Sequence, residues 1–123
     1  MKSLIFVLAL FAVTIGAVIW IDFALDAKIS NIVVLCEEIE NTDDASKIKD
    51  AFDDVNEKWH SVRKWLFAVL NHSDIDIVDY AVEILKFAVE AGDIDKIRLN
   101  ACSLKYYLDD MLDTETLSLS NIL

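Results

Sequence analysis

Residues 4–21, LIFVLALFAVTIGAVIWI, carry no charged side chain, and Thr14 is the one clearly polar residue among them. As a helix rising about 1.5 Å per residue, the run covers roughly 27 Å, close to the hydrocarbon thickness of a bilayer. A cleaved secretory signal has a shorter apolar region, about 7 to 15 residues, and ends at an A-x-A-like site. The nearest small-residue stretch, ALDA at 24–27, does not supply that pattern. The run therefore reads as an uncleaved transmembrane anchor over residues 1–24, with Trp20 suited to a membrane interface.

Charge then sets the expected orientation. Lys2 is the only charged residue before Asp22, and Asp26 follows soon after. The positive-inside tendency puts the N-terminus in the cytoplasm and the remainder outside, in the cell membrane as a single-pass protein. Across the chain 11 Lys and Arg face 22 Asp and Glu, a formal net charge of −11, and with Lys2 set aside the portion beyond the run has 10 against 22, a net −12. Such a surface disfavours nucleic acid and anionic lipid headgroups, and favours basic partners or divalent cations. Cys36 and Cys102 both lie in this outer part. A disulfide is permitted outside the membrane, but both fall in helical patterns where buried free thiols are common, so the free form is expected.

The chain has no proline and only two glycines, Gly16 and Gly92. With breakers so scarce and apolar residues spaced by three and four, helices are expected throughout. Leu25, Ile29, Ile32, Cys36 and Ile39 continue the anchor as an amphipathic stalk. ENTDD at 40–44 interrupts the pattern, and Thr42 or Asp43 can cap the next helix, whose seam is Ile48, Phe52, Val55, Trp59, Val62, Leu66 and Val69. NHSD at 71–74 is the next break, with Ser73 or Asp74 as a cap. The third helix then has Ile77, Ala81, Ile84, Leu85 and Ala88 as its inner face and ends at Gly92, while a fourth starts from Asp93 with Ile94, Ile97, Ala101, Leu104, Leu108 and Met111. The tail TETLSLSNIL alternates too briefly to assign as a strand.

Each stripe must be covered by a neighbour, and short connections favour antiparallel ones. The expected fold is all-α: an N-terminal transmembrane helix followed by an antiparallel bundle of three to four helices. The anchor occupies 1–24, the extracytoplasmic bundle 25–113, and a C-terminal tail 114–123.

Candidate sites centre on KWLFAVLNHSDIDIVD, 64–79. His72 followed by Asp74, Asp76 and Asp79 has the residue types of a cation site or an acid-base pair. The spacing also suits a simple corner, with His72 in the last turn of one helix and aspartates in the first turn of the next, each matched to the helix dipole. His60 and His72 are roughly 18 Å apart in rise on a continuous helix and cannot share a metal. An EF-hand is excluded because its glycine and closing glutamate are absent. Trp59 falls on the seam and is expected in the core, whereas Trp65 lies beside it, on a face shared with Val69 and His72. GxSxG, P-loop and GxGxxG motifs cannot be assembled from two distant glycines. Ala12 and Gly16 form one small-xxx-small pair that permits weak self-association of the run.

Taken in order, the basic residue and apolar run, EKWHSVRKW with two tryptophans six apart, NHSDIDIVD and the closing LSLSNIL resemble the DUF4363 family, a domain of unknown function in short single-span bacterial, mainly clostridial, membrane proteins. The resemblance covers essentially the whole chain and falls on Trp59, Trp65, His72, Asp76, Asn121, Ile122 and Leu123. It implies a membrane location and no established activity. The chain departs from it in acidity, the segment around the tryptophans being richer in lysine in relatives. The expectation is a non-enzymatic accessory or interaction module of the cell envelope, with a protein partner in the membrane or envelope and no cofactor. The contact surface would be the Trp65–His72 corner or the C-terminal NIL. The alternative is an extracytoplasmic cation- or pH-responsive sensor using His72 with Asp74, Asp76 and Asp79.

Overall fold

In the computed structural model, residues 1–69 and 72–122 are described, with side chains for all of these except 22, 69 and 114–122. They form four helices: α1 (Lys2–Glu40), α2 (Ala45–Val69), α3 (His72–Ala91) and α4 (Ile94–Ile122). Each packs on the next in chain order and α1 closes on α4, so the four make a ring around one core.

The first half of α1 takes no part in that core. Leu4, Phe6, Phe11, Val13 and Ile19 are all exposed. Thr14, the polar residue of the run, donates its hydroxyl to the Leu10 carbonyl at 2.9 Å, so that hydroxyl is satisfied within the helix. By length and composition this helix can cross a membrane. Without a break, the same helix then buries Ile29, Ile32, Cys36 and Ile39 in the bundle. Those four positions, with Leu25 packed beside them, are the stalk stripe expected from sequence.

α2 and α4 also bury the expected seams from Ile48 to Leu66 and from Ile97 to Met111, with Ile94 partly buried against the core and the Val69 side chain outside the described ones. The third helix differs. Its buried residues are Ile75, Val78, Ala81, Val82, Leu85 and Ala88, while Ile77 is 47% exposed and Ile84 is only half-buried. Ala81, Leu85 and Ala88 of the expected face are buried, but the buried arc is turned so that Ile75, Val78 and Val82 replace Ile77 and Ile84, which removes more branched apolar surface from water. That rotation also carries Asp79 to the flank facing α2.

The caps settle the remaining boundaries. Asp44, rather than Thr42 or Asp43, caps α2: its Oδ1 accepts from the Ser46 amide at 2.9 Å, and Thr42 Oγ1 accepts from the Asp44 amide at 3.3 Å. Asp43 instead pairs with Arg98 of α4. Gly92, at φ 70°, ends α3 in the left-handed conformation that glycine takes without penalty, its amide donating to the carbonyls of Ala88 and Val89. Asp93 caps α4 through the Lys96 amide at 3.3 Å. Helix α4 then runs on to Ile122, so residues 114–122 continue it.

Candidate functional site

The α2–α3 corner gathers most of the residues singled out in the sequence, in an arrangement the spacing did not suggest. Trp59 is in the core, 1% exposed, and donates its indole N–H to Asp79 Oδ1 at 2.7 Å. Arg63, one turn further along α2, donates through Nε to both oxygens of the same carboxylate at 2.9 and 2.8 Å. The guanidinium carbon lies 4.4 Å from the centre of the Phe67 ring, and Phe67 in turn meets the His72 ring edge-on at 4.9 Å. The result is a continuous row, Trp59, Asp79, Arg63, Phe67 and His72, that ties the two helices together.

This geometry accounts for Asp79 without a cation. Its oxygens accept from Trp59 and Arg63, while Asp76 is exposed and Asp74 stands in the first turn of α3. Among the described residues no three of His, Cys, Asp and Glu are grouped as metal ligands. His72 also stands differently from expectation: it opens α3 instead of closing α2, and the Phe67 ring is what it packs against. A helix-dipole role at a C-terminus therefore does not apply to it.

Trp65 is 62% exposed, and its described partner is Lys28 of α1, whose ammonium lies 5.9 Å from the ring centre. That is within reach of a cation–π attraction. Trp65 borders an open groove of about 710 Å³, lined also by Trp59, His60, Arg63, Lys64 and Glu83. Neither Lys28 nor Arg63 was singled out in the sequence. Arg63 follows Trp59 by four residues, and that i, i+4 pair is the signal by which it was legible.

A second polar contact closes α1 onto α4. Lys105 Nζ donates to Glu40 Oε2 at 3.3 Å, and this hydrogen bond to the carboxylate raises the Lys105 pKa above its usual value. Cys36, buried one turn before Glu40, has its thiol pushed up to about 12, first by burial and then by the Glu40 carboxylate. Both cysteines are free, Cys36 buried and Cys102 exposed. Of the C-terminal NIL, Asn121 and Ile122 fall on α4 with side chains outside the described ones, and Leu123 lies outside the described residues altogether.

A family model for a domain of unknown function, DUF4363, matches residues 19–122, which takes in the end of the apolar run and all four elements of the bundle. The chain belongs to the DUF4363 family. No curated protein and no solved structure matches it. In this DUF4363 chain the matched segment includes the whole row from Trp59 to His72, and of the residues on which the resemblance fell, Trp59, Trp65 and His72 sit together at the corner while Asp76 stands exposed beside it.

Proposed function

We propose that this DUF4363 protein is a single-pass, membrane-anchored helical module of the cell envelope, with its N-terminus in the cytoplasm and an antiparallel bundle outside, and that it acts by contact with another protein and not by catalysis. The observation that carries the reading is α1, whose uncovered apolar half continues without a break into a helix packed inside an acidic bundle. An apolar surface of that size is unstable in water and is satisfied by lipid. Antiparallel order is supported by the connections of two to four residues between successive helices and by Arg63 with Asp79, which lie six and seven residues from the two helix ends that meet at the α2–α3 turn.

A protein partner is supported by α3, where Tyr80 and Phe87 are 69% and 62% exposed on one face with Ile77 and Ile84. Asp76, Glu83 and Glu90 run beside this row at seven-residue intervals, which favours a partner helix with an apolar face and a basic flank. Two experiments test the reading. Alkaline carbonate should leave the protein in the membrane pellet; release into the supernatant would refute the anchor. Solubilised native membranes should yield the wild type in a species larger than the protein alone, and a Phe87→Glu variant should lose it; an unchanged profile would refute the α3 surface.

A further inference from the structure

The helix register carries information about where the bundle stands relative to the lipid. Lys28 follows the last residue of the apolar run, Ile21, by about 10 Å along the helix axis. Helical side chains lean toward the N-terminus, so the Lys28 ammonium falls back toward the run. The headgroup layer on each side of the hydrocarbon is about 5–8 Å deep. Lys28 and the Trp65 ring it touches therefore lie at the depth of the headgroups.

The other helices end on the same level. Trp65 is on a helix that runs the other way and leans away from the run to meet Lys28, so its backbone lies below that of Lys28, and α2 then descends about 6 Å to Val69, at or below the level of Ala24. Helix α3 starts there, at His72. From Lys105 opposite Glu40, α4 descends about 25 Å to Ile122, near the level of Phe23. Three helix ends thus stop on one plane, just beyond the end of the apolar run. Near that plane the exposed side chains include Trp65, Lys64, Lys28 and Phe23 with the acid Asp26 between them, and Trp20, 71% exposed, lies about one turn lower, at the end of the run.

We infer that the α2–α3 corner is a membrane-contact surface: the bundle rests on the bilayer that α1 crosses, with Trp65 inserted among the phospholipid headgroups and Lys28 and Lys64 beside it. This rests on the membrane reading above and adds to it a second point of attachment. A tryptophan flanked by lysines is the residue combination that interfaces favour, and the Trp65 ring is exposed with the Lys28 ammonium 5.9 Å from its centre. The overall acidity weighs against anionic headgroups, but it does not oppose insertion of an indole into a zwitterionic surface, and the basic residues lie next to the ring.

The test uses full-length protein reconstituted into phosphatidylcholine vesicles containing a headgroup spin-labelled lipid, which quenches nearby tryptophan fluorescence. Trp65→Phe reports Trp20, Trp20→Phe reports Trp65, and the double variant gives the baseline of buried Trp59. Circular dichroism checks that each is folded. The inference expects both single variants to lose intensity relative to the baseline, Trp65 about as much as Trp20. Quenching of Trp20 with none of Trp65 overturns the inference and leaves the anchor standing. Absence of quenching at both overturns the anchor and the inference together.

Discussion

At the scale of single residues, Asp79 is the group on which the α2–α3 contact turns. Trp59 is inside the core, and without Asp79 its indole N–H would be left with no partner, a loss of about 1–3 kcal/mol. The Arg63 ion pair adds under about 1 kcal/mol, since its side chain is 36% exposed and screened by water. Asp79→Ala should therefore lower the free energy of unfolding by about 1–3 kcal/mol in urea titrations, mostly through Trp59, with Asp79→Asn milder because the amide oxygen can still accept. Sequence placed Asp79 with His72 as a candidate ligand because proximity along the chain was the only distance available. Its actual partners are 20 and 16 residues away, on another helix.

Cys36 makes a separate prediction about pH. Its thiol is raised in the folded chain from 9.0 to about 12, so the stability it contributes is fully present below about pH 9 and is lost as pH rises through that window. The raised Lys105 acts in the same direction, above its ordinary 10.5. Replacing Cys36 by valine, which removes the titrating group and keeps the volume, should flatten part of the alkaline fall in the urea midpoint between pH 9 and 11. An identical slope in both proteins would refute it.

Among the elements, α1, α2 and α4 were legible because each offers one apolar stripe, and a single stripe leaves one way to face a core. α3 is apolar over a wider arc, with Ile77 and Ile84 at one edge, Ile75, Val78 and Val82 at the other and Ala81, Leu85 and Ala88 between, and local spacing cannot choose which edge faces the core. The choice depends on summed apolar area and on the neighbour that receives Asp79, both properties of the assembled bundle. Paired substitutions read it directly: Ile75→Ala, at a position with no exposure, should cost about 2–5 kcal/mol. Ile77→Ala, at 47% exposure, should stay within about 0.5 kcal/mol. The α2 cap illustrates the same limit on a smaller scale. Thr42, Asp43 and Asp44 are all competent caps, and Asp43 is drawn away by Arg98, 55 residues distant.

For the whole molecule, the two free cysteines make a natural pair of topological reporters. Cys102 is exposed on α4 and Cys36 is enclosed. A membrane-impermeant maleimide added to intact cells should label Cys102 if the bundle is outside, and a Cys102→Ala variant should remain unlabelled until denatured. Labelling of Cys102 only after permeabilisation would put the bundle in the cytoplasm. The unbroken course of α1 has a mechanical consequence. Between Asp22 and Glu40 there is neither proline nor glycine, so the ladder of backbone hydrogen bonds has no joint at which bending can be absorbed. At 39 residues the helix is a rod of about 58 Å, half of it uncovered and half clasped by α2 and α4. Any tilt or axial turn imposed on the lower half is delivered as torque to the upper one, so a change in bilayer thickness or a neighbour pressing on the rod would swing the α3 face through an arc.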